Sequence, residues 1–243
     1  MSRVIRVFTE QSPVSLGGEI ILPSSESTHL ARVLRVKEGD PVEVLDGRGG
    51  RFPARCLKVS RSQVTVHITE FHQDSEQMPA VRMAIAIGKG NKWDDLIRPL
   101  TELGVSVLTP LFTERTEGSI SPSKLKDKKE RWQKLAQEAC KQSGNVWMPK
   151  FDDPITFHEL VSGISHHEDC WMGSLSSNST SFSPQRSAER ISIFVGPEGG
   201  WSPQEEEIAQ SAGVNLFSLG SHVLRLETAA VSALAVARQH MLC

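Results

Sequence analysis

The stretch 191–230 limits what this chain can become. It reads ISIFVGPEGGWSPQEEEIAQSAGVNLFSLGSHVLRLETAA. Two apolar runs, 191–195 and 215–219, read as short buried strands. Each runs into a glycine-bearing turn, first Gly196-Pro197-Glu198-Gly199-Gly200 and then Leu219-Gly220-Ser221-His222. Between them, Ser202-Pro203-Gln204-Glu205 marks a helix start. Ser202 caps, Pro203 fits the first helical position and Glu205 completes a capping box; Gly213 ends the helix. Strand, helix and strand in succession imply a parallel pair in an α/β sheet. Ligands of such sheets lie beyond the carboxyl ends of the strands. Two glycine turns at two such ends therefore predict one pocket walled mainly by backbone.

The preceding segments continue that pattern. Residues 81–87 form a buried strand that leads through Gly88-Lys89-Gly90-Asn91-Lys92 into a helix. That helix carries Trp93, Leu96, Ile97, Leu100 and Leu103 at helical spacing. Pro99 inside it is expected to kink or shorten it. Gly104 closes it, and 105–111 is the next strand. A long helix is predicted over 121–143, with Leu125, Trp132, Leu135, Ala136 and Ala139 on one face and lysines on much of the rest. Residues 155–161 read as a short helix and 170–173 as a short strand. The serine-rich segment 174–187 lacks periodicity and reads as a mobile loop. The last helix, about 227–241, is rich in alanine, so its face permits close helix contact.

The first third has a different grain. Residues 3–8 alternate as a strand. Ser24 or Ser25 is the expected cap of a helix through His29, Leu30, Val33 and Leu34, stopped by Gly39-Asp40. Three strand-like runs follow, 42–46, 51–59 and 63–69, joined by tight turns, and together they suggest a small β-barrel. Polar, proline-ended residues 73–79 read as a linker. The expected organisation is a barrel domain over 1–72 and an α/β domain over 80–243.

Charge divides the chain along the same lines. Residues 1–72 hold ten Lys/Arg against eight Asp/Glu, 123–150 hold eight against three, and 151–243 hold four against eleven. A nucleic-acid partner needs a local basic face and not a basic protein, and the first two segments supply one. Solvated helix faces are the competing reading. No apolar run approaches the ~20 residues of a membrane helix, and no secretory signal opens the chain. The four cysteines, Cys56, Cys140, Cys170 and Cys243, are scattered. That argues against a zinc knuckle and a disulfide framework and makes the cytoplasm the default compartment. His166-His167-Glu168-Asp169-Cys170 resembles a ligand run, but neighbours on a strand face opposite ways, so no metal is expected.

The glycine turn at 196–200 is not a phosphate loop, because no Lys-Ser/Thr follows it. Alone, it is equally well a structural turn. The second turn, with Leu224-Arg225-Leu226-Glu227-Thr228 behind it, shifts the balance toward a site, although an internal salt bridge of Arg225 stays open. Four segments then carry a family likeness: VGPEGGWS, LGSHVLRLETAA, KGNKWDDLIRPLTELGVSVLTPLFTERTEG and HLARVLRVKEGDPVEVLDG. Together, in order and over nearly the whole chain, they resemble the ribosomal RNA small subunit methyltransferase E family of SPOUT methyltransferases.

The resemblance implies a PUA-like barrel followed by an α/β domain with a C-terminal trefoil knot. It also implies a homodimer that binds S-adenosylmethionine in the knot and methylates N3 of a uridine in the decoding region of 16S rRNA. The 30S subunit is a candidate context. The cofactor residues it implies are Met172, Gly173, Gly196, Pro197, Glu198, Gly199, Gly200, Leu219, Gly220, Val223, Leu224, Arg225, Glu227, Thr228 and Ala229. Arg6, Arg32, Arg35, Arg51, Lys89, Lys92 and Arg115 are the candidate RNA contacts. Two positions depart from the family pattern. Asn145 follows Cys140-Lys141-Gln142-Ser143-Gly144 where similar enzymes carry a basic residue, and Pro99 sits where helix formers are usual.

The chemistry fits a backbone pocket, because a sulfonium cofactor carries no phosphate. Uridine N3 holds a proton and is a poor nucleophile, so proton loss, charge on O2 and O4, and alignment all need help. Arg225 is the candidate for stabilising the anion. Glu198 and Glu227 are candidate bases, and the sequence does not choose between them. The rival readings are a related enzyme with another base or a ribose 2′-hydroxyl as target, and a non-catalytic rRNA-binding factor.

Overall fold

Alternation of buried and exposed positions builds the first sheet. The structure is a computed structural model that describes residues 4–11, 15–76, 78–88, 92–116 and 122–242. Its chain clusters into two units, 1–76 with 137–148, and 77–136 with 149–243.

The first unit holds β1 (Arg6–Phe8), β2 (Glu19–Ile21), β3 (Pro41–Leu45), β4 (Gly50–Val59), β5 (Val64–Ile68) and β6 (His72–Gln73). The strand order is β1-β3-β4-β5-β2, with β6 on β4. β3, β4 and β5 pair antiparallel, while β1 joins β3 in parallel. Val42 and Val44, then Phe52, Ala54 and Cys56, then Val64, Val66 and Ile68 take every second position and fill one core with Ile20, Leu22 and Leu30. A stripe with period two is what a half-buried sheet requires.

The helix of this unit differs from expectation at both ends. α1 (Ser24–Thr28) begins after Pro23 with no side-chain cap. Ser27 is buried instead, donating to the Leu22 carbonyl at 3.1 Å and accepting from the Val64 N–H at 3.0 Å. The chain continues as a π-helical turn, His29–Leu34, and stops at Arg35, whose φ is 54°. Termination therefore comes from a left-handed residue before the expected stop at Gly39. The turn leaves Arg32, Val33, Leu34 and Arg35 exposed.

The second unit has strands β7 (Ala80–Ala86), β8 (Val107–Phe112), β9 (Lys150–Phe151), β10 (Ile155–Thr156), β11 (Glu168–Gly173), β12 (Thr180–Ser181), β13 (Arg190–Val195) and β14 (Asn215–Ser218). Its helices are α2 (Lys92–Glu102), α3 (Pro122–Ser143) as far as Ala136, α4 (Phe157–Ser162), α5 (Pro203–Ser211) and α6 (Leu226–Leu242); the last residues of α3 belong to the first unit. The order is β10-β8-β7-β13-β11-β14-β12, with β9 on β8, and every pairing is parallel. β7, β11 and β13 are nearly continuous buried runs, as strands covered on both faces must be. α6 packs on α2, β7 and β13, and its Ala230, Ala233 and Ala237 are wholly buried.

Several local expectations change. α2 runs past Pro99 to Glu102, and the Leu103 N–H bonds the Pro99 carbonyl at 3.1 Å. The helix expected at 155–161 starts later: Ile155–Thr156 is a strand, and Thr156 with Glu159 forms a capping box for α4. The serine-rich segment is tied down. It contributes β12, and its Phe182 stacks on Phe217 at 4.3 Å and meets Trp171 edge-on at 5.3 Å. Trp93 and Trp132 are core residues, 4.8 Å apart, with the Trp132 Nε1–H donating to Asp94 at 2.8 Å. No helix among the described residues is long and apolar enough to cross a membrane.

Candidate functional site

β13, β11 and β14 are neighbours in the sheet, and their carboxyl ends finish together at Val195, Gly173 and Ser218. A cavity of about 310 Å³ lies beyond these ends, walled by 173–176, 195–198, Gly200, Trp201, Glu206, 217–220, 222–224, Leu226 and Ala229. This is the position where open parallel sheets hold ligands. Of the residues implied by the resemblance, Gly173, Gly196, Pro197, Glu198, Gly200, Leu219, Gly220, Val223, Leu224 and Ala229 are on this wall. Met172 lies fully buried in the core beneath it. Gly199, Arg225, Glu227 and Thr228 are outside the lining. Arg225 and Thr228 are exposed, and Glu227 is half-buried in the first turn of α6.

Trp201 shapes this wall, and the sequence reading did not place it there. Its ring is buried, packs on Phe157 at 5.3 Å, and its Nε1–H donates to the Gly173 carbonyl at 2.8 Å. A Cβ on Gly196 would stand 2.9 Å from the ring. The glycine is required there by close approach of the indole. Gly200 and Gly220 differ: both have positive φ (69° and 144°) and nothing within 4 Å of a would-be Cβ. His222 belongs to the second glycine turn expected at the pocket and is on the wall, as is Ser174 at the end of the implied loop after β11. Also unforeseen were Leu175, Ser176, Glu206 and Phe217. Ser176 had read as a loop residue, and a lone glutamate on a helix reads as solvated.

The capping box at α5 extends into the site. The Ser202 Oγ accepts from the Glu205 N–H at 3.1 Å, and Glu205 Oε2 accepts from the Ser202 N–H at 2.9 Å. Glu205 is buried, and its Oε1 takes the Glu114 N–H at 2.9 Å. Beside it, the Arg115 guanidinium donates to the Gly199 carbonyl at 2.7 Å. A single carboxylate thus ties the start of α5 to the turn after β8, and that turn in turn holds the glycine loop.

A second cavity of about 590 Å³ is lined by Ile87, Gly88, Lys92, Glu114, Arg115, Thr116, Glu198 and Gly199. Glu198 lines both cavities and pairs with the Lys92 ammonium. The charge distribution differs between them. Lys92 and Arg115 stand on the second wall, whereas the described lining of the first carries Glu198, Glu206 and His222 and no lysine or arginine.

The remaining candidate RNA contacts separate into engaged and free groups. Arg6 donates to Glu43 at 2.8 Å and to the Lys141 and Gln142 carbonyls, where a cation suits the carboxyl end of a helix. Arg51 pairs with Asp74 at 3.2 Å. Arg32 and Arg35 are exposed, and no described carboxylate pairs with either. Lys89 lies outside the described residues. Among the described residues, no group of three His, Cys, Asp or Glu side chains is placed to hold a metal ion.

A parallel sheet with a cavity beyond its strand ends, bordered by two glycine turns, is the frame of the site. A family model described as an RNA methyltransferase domain matches residues 75–238, and one described as an RNA methyltransferase PUA domain matches 22–69. The chain is 35% identical to the ribosomal RNA small subunit methyltransferase E of Synechocystis sp. over 89% of its length and 71% of that protein's. It is 31% identical to the Bacillus subtilis protein of the same name, over 93% and 90%. A crystal structure of the Neisseria gonorrhoeae protein of that name, bound to S-adenosyl methionine, superposes with a TM-score of 0.86 over 98% of each chain at 27% identity. The chain belongs to the ribosomal RNA small subunit methyltransferase E family.

Proposed function

We propose that this chain transfers a methyl group from S-adenosylmethionine to N3 of a uridine in 16S ribosomal RNA. The observation that carries the reading is the pair of cavities sharing Glu198, one whose described lining carries no lysine or arginine and the other bearing Lys92 and Arg115. The names of the relatives and the bound S-adenosyl methionine in the Neisseria gonorrhoeae protein support it.

The residues of the first cavity fit that cofactor. Its volume of about 310 Å³ is at the small end of the ~300–1,000 Å³ usual for ligand sites. Gly200 and Gly220 leave open space where side chains would otherwise stand, and no fixed cation opposes a sulfonium. When bound, the cofactor supplies an electrophilic methyl group. The chain must do the rest. Arg225, exposed and without a described carboxylate partner, stabilises negative charge on the uracil ring. Glu198 is the better placed of the two candidate bases, because it faces both cavities while Glu227 faces neither. Lys92 and Arg115 receive RNA phosphate on the second wall.

Methyl transfer from labelled S-adenosylmethionine to naked 16S rRNA and to 30S subunits, followed by nucleoside analysis, tests the reading. The expected product is 3-methyluridine. A 2′-O-methyl nucleoside or another methylated base overturns the target, and no transfer together with no cofactor binding overturns the activity.

The same proposal includes a knotted C-terminal half, a cytoplasmic enzyme and a homodimer. Exposed Leu175, Val223 and Leu224, at 56%, 80% and 39%, sit on the cavity wall and support a second copy there. Light scattering is expected to give a dimer at micromolar concentration. A fully active monomer would remove this part of the proposal.

The first unit is the proposed RNA platform, through Arg32 and Arg35. Replacing both by alanine is expected to weaken rRNA binding and reduce the slope of log K against log salt by up to about 2, since each phosphate contact contributes ~0.7–0.9. Cofactor affinity should stay unchanged. An unaltered slope, measured by filter binding over a salt series, would transfer the role to the lysines of α3.

A further inference from the structure

Glu206 is a carboxylate on the wall of the first cavity, and no lysine or arginine pairs with it among the described residues. It stands on α5, and its Oε1 accepts a hydrogen bond from the Ser174 hydroxyl. Ser174 is itself fixed, since its N–H bonds the Phe217 carbonyl at 2.9 Å and its carbonyl accepts from the Ser179 hydroxyl at 3.0 Å. The carboxylate is therefore held in place against the cavity. Among the described residues, no lysine or arginine pairs with Glu206, whereas Glu198, the other carboxylate of this wall, pairs with Lys92. His222 is the remaining ionisable group of the lining, and its Nδ1 lies 3.3 Å from the Ser221 hydroxyl.

We propose that Glu206 makes the cavity select the cationic cofactor over its neutral product, a role that rests on reading this cavity as the cofactor site. Methyl transfer breaks the bond from sulfur to the methyl carbon and forms one from that carbon to uridine N3. The sulfur keeps the bonding pair and changes from a sulfonium to a neutral thioether, and the N3 proton leaves to a base or to solvent. S-adenosylhomocysteine therefore carries one positive charge fewer than S-adenosylmethionine in almost the same shape. A cavity of backbone and apolar atoms alone hardly tells the two apart. A fixed, partly buried carboxylate does, because its attraction to a charge a few ångströms away is much less screened than in water. Release of product is favoured by the same term that favours binding of reactant.

Calorimetry on the intact protein with S-adenosylmethionine, S-adenosylhomocysteine and sinefungin tests this. Sinefungin carries an ammonium in place of the sulfonium. In Glu206→Gln, which keeps the shape and removes the charge, affinity for S-adenosylmethionine and sinefungin is expected to fall about tenfold, equivalent to about 1.4 kcal/mol. Affinity for S-adenosylhomocysteine should be nearly unchanged. Ser174→Ala, which keeps the charge and loosens its placement, should shift the same ratio in the same direction by less. Melting curves check that both variants are folded, and wild-type protein titrated in rising sodium chloride gives a third measure: the preference for the cation should narrow. Equal losses for all three ligands in Glu206→Gln, or no change in their ratio, overturn the proposal. Failure of the wild type to bind any of the three overturns the cofactor reading instead.

Discussion

Arg225→Ala is expected to lower turnover by about 10²-fold or more, the scale seen when one charge-stabilising donor is removed. Affinity for S-adenosylmethionine and the melting temperature should stay near wild type. Arg225 lies in the loop before α6, between the cavity residue Leu224 and the buried Leu226. It is exposed, outside the cavity lining, and no described carboxylate pairs with it. A guanidinium so placed has little folding work to lose. A methyl donor is already cationic, so an arginine nearby is unfavourable for cofactor binding and favourable only once the uracil ring gains negative charge. Its contribution should therefore grow toward the transition state and appear in kcat more than in KM. Raising the pH should partly rescue the variant, because hydroxide then assists loss of the N3 proton. A structural salt bridge predicts the reverse: weaker cofactor binding, a lower melting temperature and no rescue. Cofactor affinity, melting and the pH–rate profile of this one variant separate the two, and normal turnover excludes both.

Much of this arrangement was legible because it depends on local rules. The buried strands 191–195 and 215–218 and the box at Ser202 and Glu205 each follow from a few adjacent residues. What escaped depends on partners distant in sequence. The sequence does not announce that the guanidinium of Arg6, a candidate RNA contact, donates to helix carbonyls at Lys141 and Gln142, some 135 residues later. Arg51 is engaged by Asp74. Phe182 sits in a serine-rich run without period, and Phe217 of β14 and Trp171 of β11, both distant in sequence, tie that run to the sheet. Arg35 ends its helix in a left-handed conformation that a non-glycine residue does not announce. Glu206 has a common residue type in a common helix position, and only its placement over the strand ends distinguishes it from Glu207.

The contact between Gly196 and Trp201 carries the other large effect. Gly196 directly follows β13 and Gly173 ends β11, and the Trp201 indole reaches both, packed against the first and hydrogen-bonded to the carbonyl of the second. Trp201→Ala removes a buried ring and leaves the Gly173 carbonyl without its donor. The expected cost is about 3–5 kcal/mol of stability for an emptied tryptophan site, with loss of measurable cofactor binding. Gly196→Ala attacks the same contact from the other side, since the new Cβ falls 2.9 Å from the ring and rigid surroundings must move. It too should abolish cofactor binding at a lower melting temperature. Trp201→Phe should cost less stability, because it keeps most of the packing and loses one hydrogen bond, worth ~1 kcal/mol. The decisive measurement is the cycle of Gly196→Ala and Trp201→Phe. A smaller ring leaves room for the methyl group, so the double variant should melt higher than the sum of the two single losses predicts, with a coupling of about 0.5–3 kcal/mol. Strict additivity in melting temperature and in S-adenosylmethionine affinity would mean that the two residues act separately, and the tryptophan would lose its role as the element that sets the distance between the two strand ends.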